Sequence, residues 1–387
     1  MNLHLILFAA GATALLGIGA FYIASCWKQW QSWEIHSKRI NIIIFVFLIL
    51  EASGFLLLRL FPTHFGQFKT FYWIIYTILG LFANVFFYTL ILDISLRIKN
   101  KAMAIFSSNN THSINIERRG VLLTGGLALG SSVAGAVQLN NGPKVYNVDI
   151  PIKNLPSQFE GFKIAQITDL HIGPTIGKEY TEHVVNITNG LNPDLIALTG
   201  DFIDGTVSQL RDAVSALAHL KAKEGVFYTT GNHEYIWGAV EWIETFKQMG
   251  IRPLINEHVL IERNQAQFIL AGITDPTAIN FIREQASDVD KALEGTPKNL
   301  VKILLAHQPI SYKQASPAGF DLQLSGHTHA GQFFPFNIFV MFAQRYYKGL
   351  NRHENMWVYV SRGTGYWGPP TRLGVPSEIT LLHLKRA

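Results

Sequence analysis

At 387 residues the chain is long enough for two domains, and its net charge of +5 is unevenly held: residues 1–137 carry ten Lys/Arg against four Asp/Glu (+6), residues 138–387 carry 22 against 23 (−1). The near-neutral C-terminal part removes the main electrostatic support for a nucleic-acid partner. Cys26 is the only cysteine, which excludes an intrachain disulfide without fixing the redox compartment.

The N-terminal third reads as membrane. Residues 3–26, 40–61 and 71–91 are apolar runs long enough to cross the ~30 Å hydrocarbon core as helices. A signal-peptide reading of the first is weakened because no Lys or Arg precedes its apolar core and two further spans follow. Residues 121–137 (VLLTGGLALGSSVAGAV) form a fourth span near the minimum length, with Gly126 and Gly130 in a G-x-x-x-G spacing that permits close helix packing. Arg118-Arg119, a weakly apolar run and Ala134-Gly135-Ala136 also resemble an internal twin-arginine export signal. Both readings are met by a last transmembrane helix that carries a folded domain outward and stays uncleaved. Lys28, Lys38 and Arg39 in the first loop, with Arg97, Lys99, Lys101, Arg118 and Arg119 in the third, make eight positive residues against Arg59 and Lys69 in the second. The positive-inside rule puts the eight in the cytoplasm. Four spans then leave the C-terminal domain extracytoplasmic on the cell membrane, whereas three would leave it inside. Glu51, mid-span, is a functional candidate by its cost. An interhelical polar contact is the alternative, with Asn84 as its hydrogen-bond partner.

Residues 140–143 (Asn-Asn-Gly-Pro) mark a boundary, so the chain divides into a transmembrane region, 1–137, and a second domain, 138–387. Residues 145–152 predict an edge strand, with Pro151 tolerable only there. The runs KIAQI, LIALT, VFYTT, KILLA and LQL read as buried strands, and helical periodicity at 180–189, 208–220 and 239–249 alternates with them, the pattern of an α/β domain. GPTIGK (173–178) fails as a phosphate loop: three residues separate its glycines, and Glu179 follows Lys178.

Each apolar run ends in a stretch with metal-ligand side chains: TDLH (168–171), TGDFID (199–204), TGNHEY (230–235), AHQP (306–309) and SGHTHAG (325–331). Ligands collect outside the carboxyl ends of strands in open sheets, so Asp169, His171, Asp201, Asn232, His307, His327 and His329 can converge. Oxygen and nitrogen donors without thiolate suit Mn, Fe or Zn. Seven side chains exceed one tetrahedral ion but fit two divalent metal ions, with Asp201 as the natural bridge because a carboxylate has two oxygens.

With its D-x-H, G-D, G-N-H-E, H and G-H-x-H blocks in order, the stretch 144–384 resembles the calcineurin-like metallophosphoesterases. The resemblance implies a four-layer α-β-β-α sandwich with two mixed sheets. It also implies one metal held by Asp169, His171, Asp201 and His329, and a second by Asp201, Asn232, His307 and His327. His233 would stand beside the metals as the catalytic group that protonates the leaving oxygen, with Glu234 orienting a neighbouring imidazole or lying on the surface. The activity implied is phosphoester hydrolysis by a hydroxide bridging the ions; with the domain extracytoplasmic on a membrane, a substrate of envelope or lipid origin is expected. The alternatives are a UDP-2,3-diacylglucosamine pyrophosphohydrolase-like enzyme facing the cytosol and a non-catalytic metal-bearing scaffold. The tail resembles the membrane-associated branch of the family, in which Arg362 and Arg372 are candidate phosphate contacts. Residues 332–347, aromatic and free of acid, are expected to be a buried segment of the sandwich, with an apolar lip facing lipid as the other reading.

Overall fold

The computed structural model describes residues 3–30, 46, 69–106 and 118–387. The predicted span 40–61, with Glu51, falls outside the described residues apart from position 46. Two compact units divide the chain: Met1–Val137 with Gly368–Leu373, and Gln138–Trp367 with Gly374–Ala387.

In the first unit the apolar runs form helices α1 (Leu3–Trp30), α2 (Lys69–Phe106) and α3 (Arg118–Asn140). Among the described residues, two stretches, Lys69–Met103 and Gly120–Asn140, are long and apolar enough to cross a membrane. Helix α2 runs well past the predicted end at residue 91, because Asp93, Arg97 and Lys99 end the apolar run without breaking the helical backbone. Polar pairs link the helices: Tyr22 donates to Asp93 at 2.8 Å, Trp27 to Thr89 at 3.3 Å and Asn84 to Ser132 at 3.0 Å. Such bonds hold helices together where water cannot compete. Asn84 therefore pairs with α3. The predicted G-x-x-x-G spacing is not a contact among the described residues: a Cβ at Gly126 or Gly130 would meet nothing within 4 Å, whereas one at Gly135 would fall 1.9 Å from Thr371 Oγ1.

The second unit is built on two six-stranded mixed sheets. The first has the order β1 (Lys144–Ile152), β12 (Glu378–Arg386), β2 (Lys163–Ile167), β3 (Leu195–Thr199), β4 (Val226–Thr229), β5 (Arg252–Pro253). The second runs β10 (Gly349–His353), β11 (Met356–Val360), β9 (Leu322–Ser325), β8 (Lys302–Leu305), β7 (Ala266–Gly272), β6 (Glu257–Arg263). Strand β1 is an edge, as Pro151 requires, and pairs in parallel with β12 from Lys144↔Glu378 to Ile152↔Arg386. Strands β2 to β5 are parallel, as are β7, β8, β9 and β11.

One face of each sheet meets the other. Ile164, Leu195, Ala197 and Phe227 of the first pack with Phe268, Leu270, Ile303, Leu305, Leu322 and Leu324 of the second. Alternate residues of the second sheet, Ile269, Ala271, Leu304 and Val358, point to a separate outer core with Tyr312 and Phe320, the period-two division of a sheet covered on both faces. With the inner face occupied, the parallel crossovers of the first sheet run over its outer face through α4 (Lys178–Gly190), α5 (Val207–Val214), α6 (Asn232–Trp237) and α7 (Ala239–Gln248). The expected α-β-β-α layering follows.

Candidate metal centre

Strands β2, β3 and β4 of one sheet and β8 and β9 of the other end at a common edge, and the loops leaving them carry every predicted site residue. The loops are laced by backbone hydrogen bonds: Asp169 N–H donates to Gly200 O at 3.0 Å, His171 N–H to Asp201 O at 3.1 Å, and Gly326 N–H to His307 O at 2.9 Å. Five of the residues, Asp169, His171, Asp201, His327 and His329, have φ between 48° and 69°. Left-handed backbone is uncommon for non-glycine residues and tolerated best by Asp, Asn and His. It turns each side chain inward where an ordinary strand exit would point it away, and such conformations cluster at functional sites.

The glycines of the motifs make room for the carboxylates. A Cβ at Gly231 would fall 2.1 Å from Asp201 Oδ1, and one at Gly326 would fall 2.1 Å from Asp169 Oδ2. The backbone thus approaches each acid as closely as only glycine permits.

The side chains form three overlapping groups whose donor atoms lie within 4.8 Å of one another: Asp169, His171 and His329; His171, Asp201 and His233; Asp201, His307 and His327. Asp201 belongs to two of them. His307 Nε2 lies 3.1 Å from Asp201 Oδ2, His329 Nε2 3.4 Å from Asp169 Oδ1, and His171 Nε2 3.0 Å from His329 Nε2. Asn232 joins through its Oδ1, 3.1 Å from His327 Nδ1. Asp169, Asp201, His171 and His307 are buried, whereas Asn232, His233 and His327 are partly exposed and mark the open side.

These residues fit divalent cations on their own chemistry. Nδ1 of His307 lies 2.8 Å from the Thr199 carbonyl, and Nε2 is buried without a hydrogen-bond partner although it faces the Asp201 carboxylate. When Nδ1 holds the proton, an Nε2 lone pair facing a carboxylate is satisfied by a cation between them. The two imidazole nitrogens of His171 and His329, facing each other at 3.0 Å, call for the same. Without metal, burial pushes the Asp169 carboxyl up, while Asp201, despite its burial, is held well below the usual range by His307 and His233.

Two residues have roles that sequence reasoning missed. Asp204, three positions after Asp201, hydrogen-bonds Nδ1 of His233 and places its other oxygen 3.2 Å from Nδ1 of His171, outside hydrogen-bond alignment. A second carboxylate in the same short loop was the available signal. Glu234 neither orients an imidazole nor lies on the surface. It is fully buried and accepts the backbone N–H groups of Gly231, Asp201 and Phe202 at 2.6, 3.0 and 2.8 Å, capping the free N-cap amide of α6 while tying the β3 loop to it. His233 itself stands with Nε2 3.9 Å from Asp201 Oδ2. Burial pulls its pKa down, but the carboxylates of Asp201 and Asp204 outweigh this and hold it up at about 9. The Trp367 ring lies edge-on to it, 5.8 Å between centroids.

The two arginines differ from expectation. Arg362 lies 3.1 Å from Glu378 and stacks on Tyr146 at 4.4 Å, so its charge is already matched. Arg372 is fully buried and belongs to the helical unit, its N–H donating to Gly135 O at 3.2 Å. Residues 332–347 are buried only at their ends: Gln332, Phe333, Pro335 and Tyr346 are buried, but helix α8 (Phe336–Ala343) between them has no buried residue.

The family model described as calcineurin-like phosphoesterase matches residues 162–331, the stretch from β2 to the last histidine loop. The Caenorhabditis elegans "Putative metallophosphoesterase F40B5.2" is 31% identical over 375 residues, covering 90% of this chain and 76% of that one. The chain belongs to the calcineurin-like phosphoesterase family. A Danio rerio relative, "Transmembrane protein with metallophosphoesterase domain", is 41% identical over 265 residues, 66% of this chain and 60% of its own length. The same 60% holds for the Bos taurus relative of that name, so the chain matches about three fifths of each. The calcineurin-like phosphoesterase domain implies divalent metals, and the clustered Asp and His side chains are where such ions would bind.

Proposed function

We propose that this protein is a membrane-anchored phosphohydrolase with two divalent metal ions, of the Mn, Fe or Zn kind, acting on a phosphoester of envelope or lipid origin. Asp169, His171, Asp201 and His329 hold one ion in this reading, and Asp201, Asn232, His307 and His327 the other. The observation that carries it is the pair of donor groups Asp169–His171–His329 and Asp201–His307–His327, linked because His171 and Asp201 also lie within one group, with buried imidazole nitrogens aimed at carboxylates. Bound there, the ions supply Lewis acidity toward phosphoryl oxygens and lower the pKa of water.

The chain's own residues do the rest. His233, on the open side, donates from Nε2 to the departing oxygen, while Asp204 holds Nδ1–H and so keeps that ring in one orientation and protonation state. Glu234 holds the β3 and β4 loops at a common spacing. Residues 1–137 are read as the membrane region and 138–387 as the catalytic domain. Two apolar helices and the transmembrane naming of the relatives support an anchored enzyme, and the loop charges favour an extracytoplasmic domain on the cell membrane.

The test is metal-dependent turnover by the purified full chain. Hydrolysis of an aryl phosphate that is lost on chelation and restored by Mn or Zn is expected, together with loss of bound metal in Asp201→Asn. Two full equivalents of metal in that variant would remove Asp201 from the bridge, and inactivity of the metal-loaded wild type would favour the scaffold. A topology reporter fused after Ala387 tests the location: activity only when exported is expected, and a cytoplasmic signal would instead favour the UDP-2,3-diacylglucosamine reading.

A further inference from the structure

Helix α8 breaks the usual rule for a helix on a soluble domain. Its sequence FNIFVMFA has no charged residue, yet none of its residues is buried: Phe342 is 81% exposed, Met341 42% and Phe339 39%. A soluble domain hides such a face, and an exposed one marks a contact surface. The helix is also held firmly to the site. A Cβ at Gly331 would fall 2.3 Å from Asn337 Cα, so α8 lies directly on the loop that carries His329. In that same loop Gln332 grips the Trp367 backbone at both ends, accepting its N–H at 2.9 Å and donating to its carbonyl at 3.0 Å. Trp367, 48% exposed, is the residue whose ring flanks His233.

The chemistry around α8 names what covers it. No Asp or Glu occurs from Gln332 to His353, while exposed Arg345 and Lys348 follow the helix and stack on Tyr346 and Tyr347. Exposed Phe and Met with basic residues at one end is the make-up of a helix that lies in a bilayer interface, its apolar side ~5–10 Å deep and its cations at the headgroups. Three residues separate the end of α3 from β1, so a domain joined to a membrane-crossing helix has that surface within reach.

We propose that α8 docks in the headgroup region of an anionic bilayer and so sets the mouth of the metal centre, between Trp367 and His327, at the lipid surface. The inference rests on the reading of the chain as membrane-anchored and deepens it: a phosphoester carried by a lipid headgroup would reach the site without leaving the bilayer.

The experiment places an environment-sensitive fluorophore on Phe342→Cys in a Cys26→Ser background, with Val240→Cys on α7, 61% exposed, as the control. The full-length chain is reconstituted in vesicles of phosphatidylcholine and phosphatidylglycerol. The label at 342 is expected to be blue-shifted, quenched severalfold more by lipids spin-labelled near the headgroup than the label at 240, and shielded from aqueous iodide. Replacing phosphatidylglycerol by phosphatidylcholine, or introducing Arg345→Glu with Lys348→Glu, is expected to reduce that quenching. Iodide access equal to that at 240 would overturn the proposal, as would shielding from both quenchers, which indicates cover by protein such as a second copy. Turnover of an aryl phosphate by the same samples is scored separately. A chain that hydrolyses but shows no lipid quenching loses only the docking role of α8, and one that is quenched but inactive loses only the hydrolase.

Discussion

Glu234 Oε2 accepts the backbone N–H of Asp201 at 3.0 Å, across 33 residues of chain, and the same oxygen accepts Gly231 N–H at 2.6 Å. One buried carboxylate therefore spaces the loop of the proposed bridging ligand from the loop of Asn232 and His233. Glu234→Gln keeps the size but turns an amide donor toward at least one of three backbone donors. The expected outcome is a loss of ~1–3 kcal/mol, as for a buried donor left unsatisfied, with weaker metal retention. Denaturant melts and metal analysis of the variant check it; a variant as stable and as metal-rich as wild type would remove the clamp.

His233 and Asp204 are expected to act as a pair. His233→Asn should retain both metals, since no assigned ligand is lost, and kcat should fall by ~10²–10⁴ on esters with a poor alkoxide leaving group. On an activated aryl phosphate, which departs without a proton, the loss should be much smaller. Asp204→Asn should show the same split in milder form. Equal losses on both substrates would mean that His233 stabilises phosphoryl charge instead.

Gly326→Ala puts a methyl 2.1 Å from Asp169 Oδ2 and 2.3 Å from Thr168 Oγ1, on a backbone whose N–H is bonded to His307 O at 2.9 Å. Displacement of Asp169 is expected, with ~1–3 kcal/mol of overpacking strain and loss of roughly one metal equivalent per chain. An alanine variant with full metal content would show that the loop can shift without consequence.

The metal-free protein should lose stability as pH rises from 7 to 9. The folded pKa of His233, about 9, lies above the unfolded ~6.5. Its contribution is thus complete below pH 6.5 and is lost as pH rises through 9, up to about 3 kcal/mol by linkage. Bound divalent ions oppose the same proton, so loading with metal should flatten the dependence. Thermal melts of chelated and loaded protein at both pH values test this, and His233→Asn should lessen the slope of the chelated curve, part of which stays with His307, which the Asp201 carboxylate holds up against its burial.

Much of this was readable from local patterns. Runs such as LIALT predict β3 because β-branched and apolar residues continue to the Thr-Gly-Asp that ends the strand, and the donors at strand ends come together because all those strands share a direction. The sequence shows Asp204 as a second carboxylate in the Asp201 loop but not what it faces, because its partners His171 and His233 come from two other loops. Glu234 was misread because a Glu after His carries no mark of burial; only the fold brings three amide donors to it. Helix α2 outran its hydropathy limits because apolarity marks where lipid can lie and not where backbone hydrogen bonds stop. Residues 332–347 are buried at their ends but not along α8, because composition is the same for a segment hidden in a core and one displayed on a surface.

The parallel pairing of β1 with β12 has a practical consequence. Lys144 stands opposite Glu378 and Ile152 opposite Arg386, so β12 carries the chain away from the end at which α3 delivers it. Eight residue steps at ~3.3 Å put Arg386 roughly 26 Å along the strand from the level of Lys144. A fluorescent or enzymatic partner appended behind Ala387 thus emerges at the far end of the edge pair, whereas one inserted ahead of Lys144 would be wedged into the three-residue link and strain both the helix end and the first ladder bond.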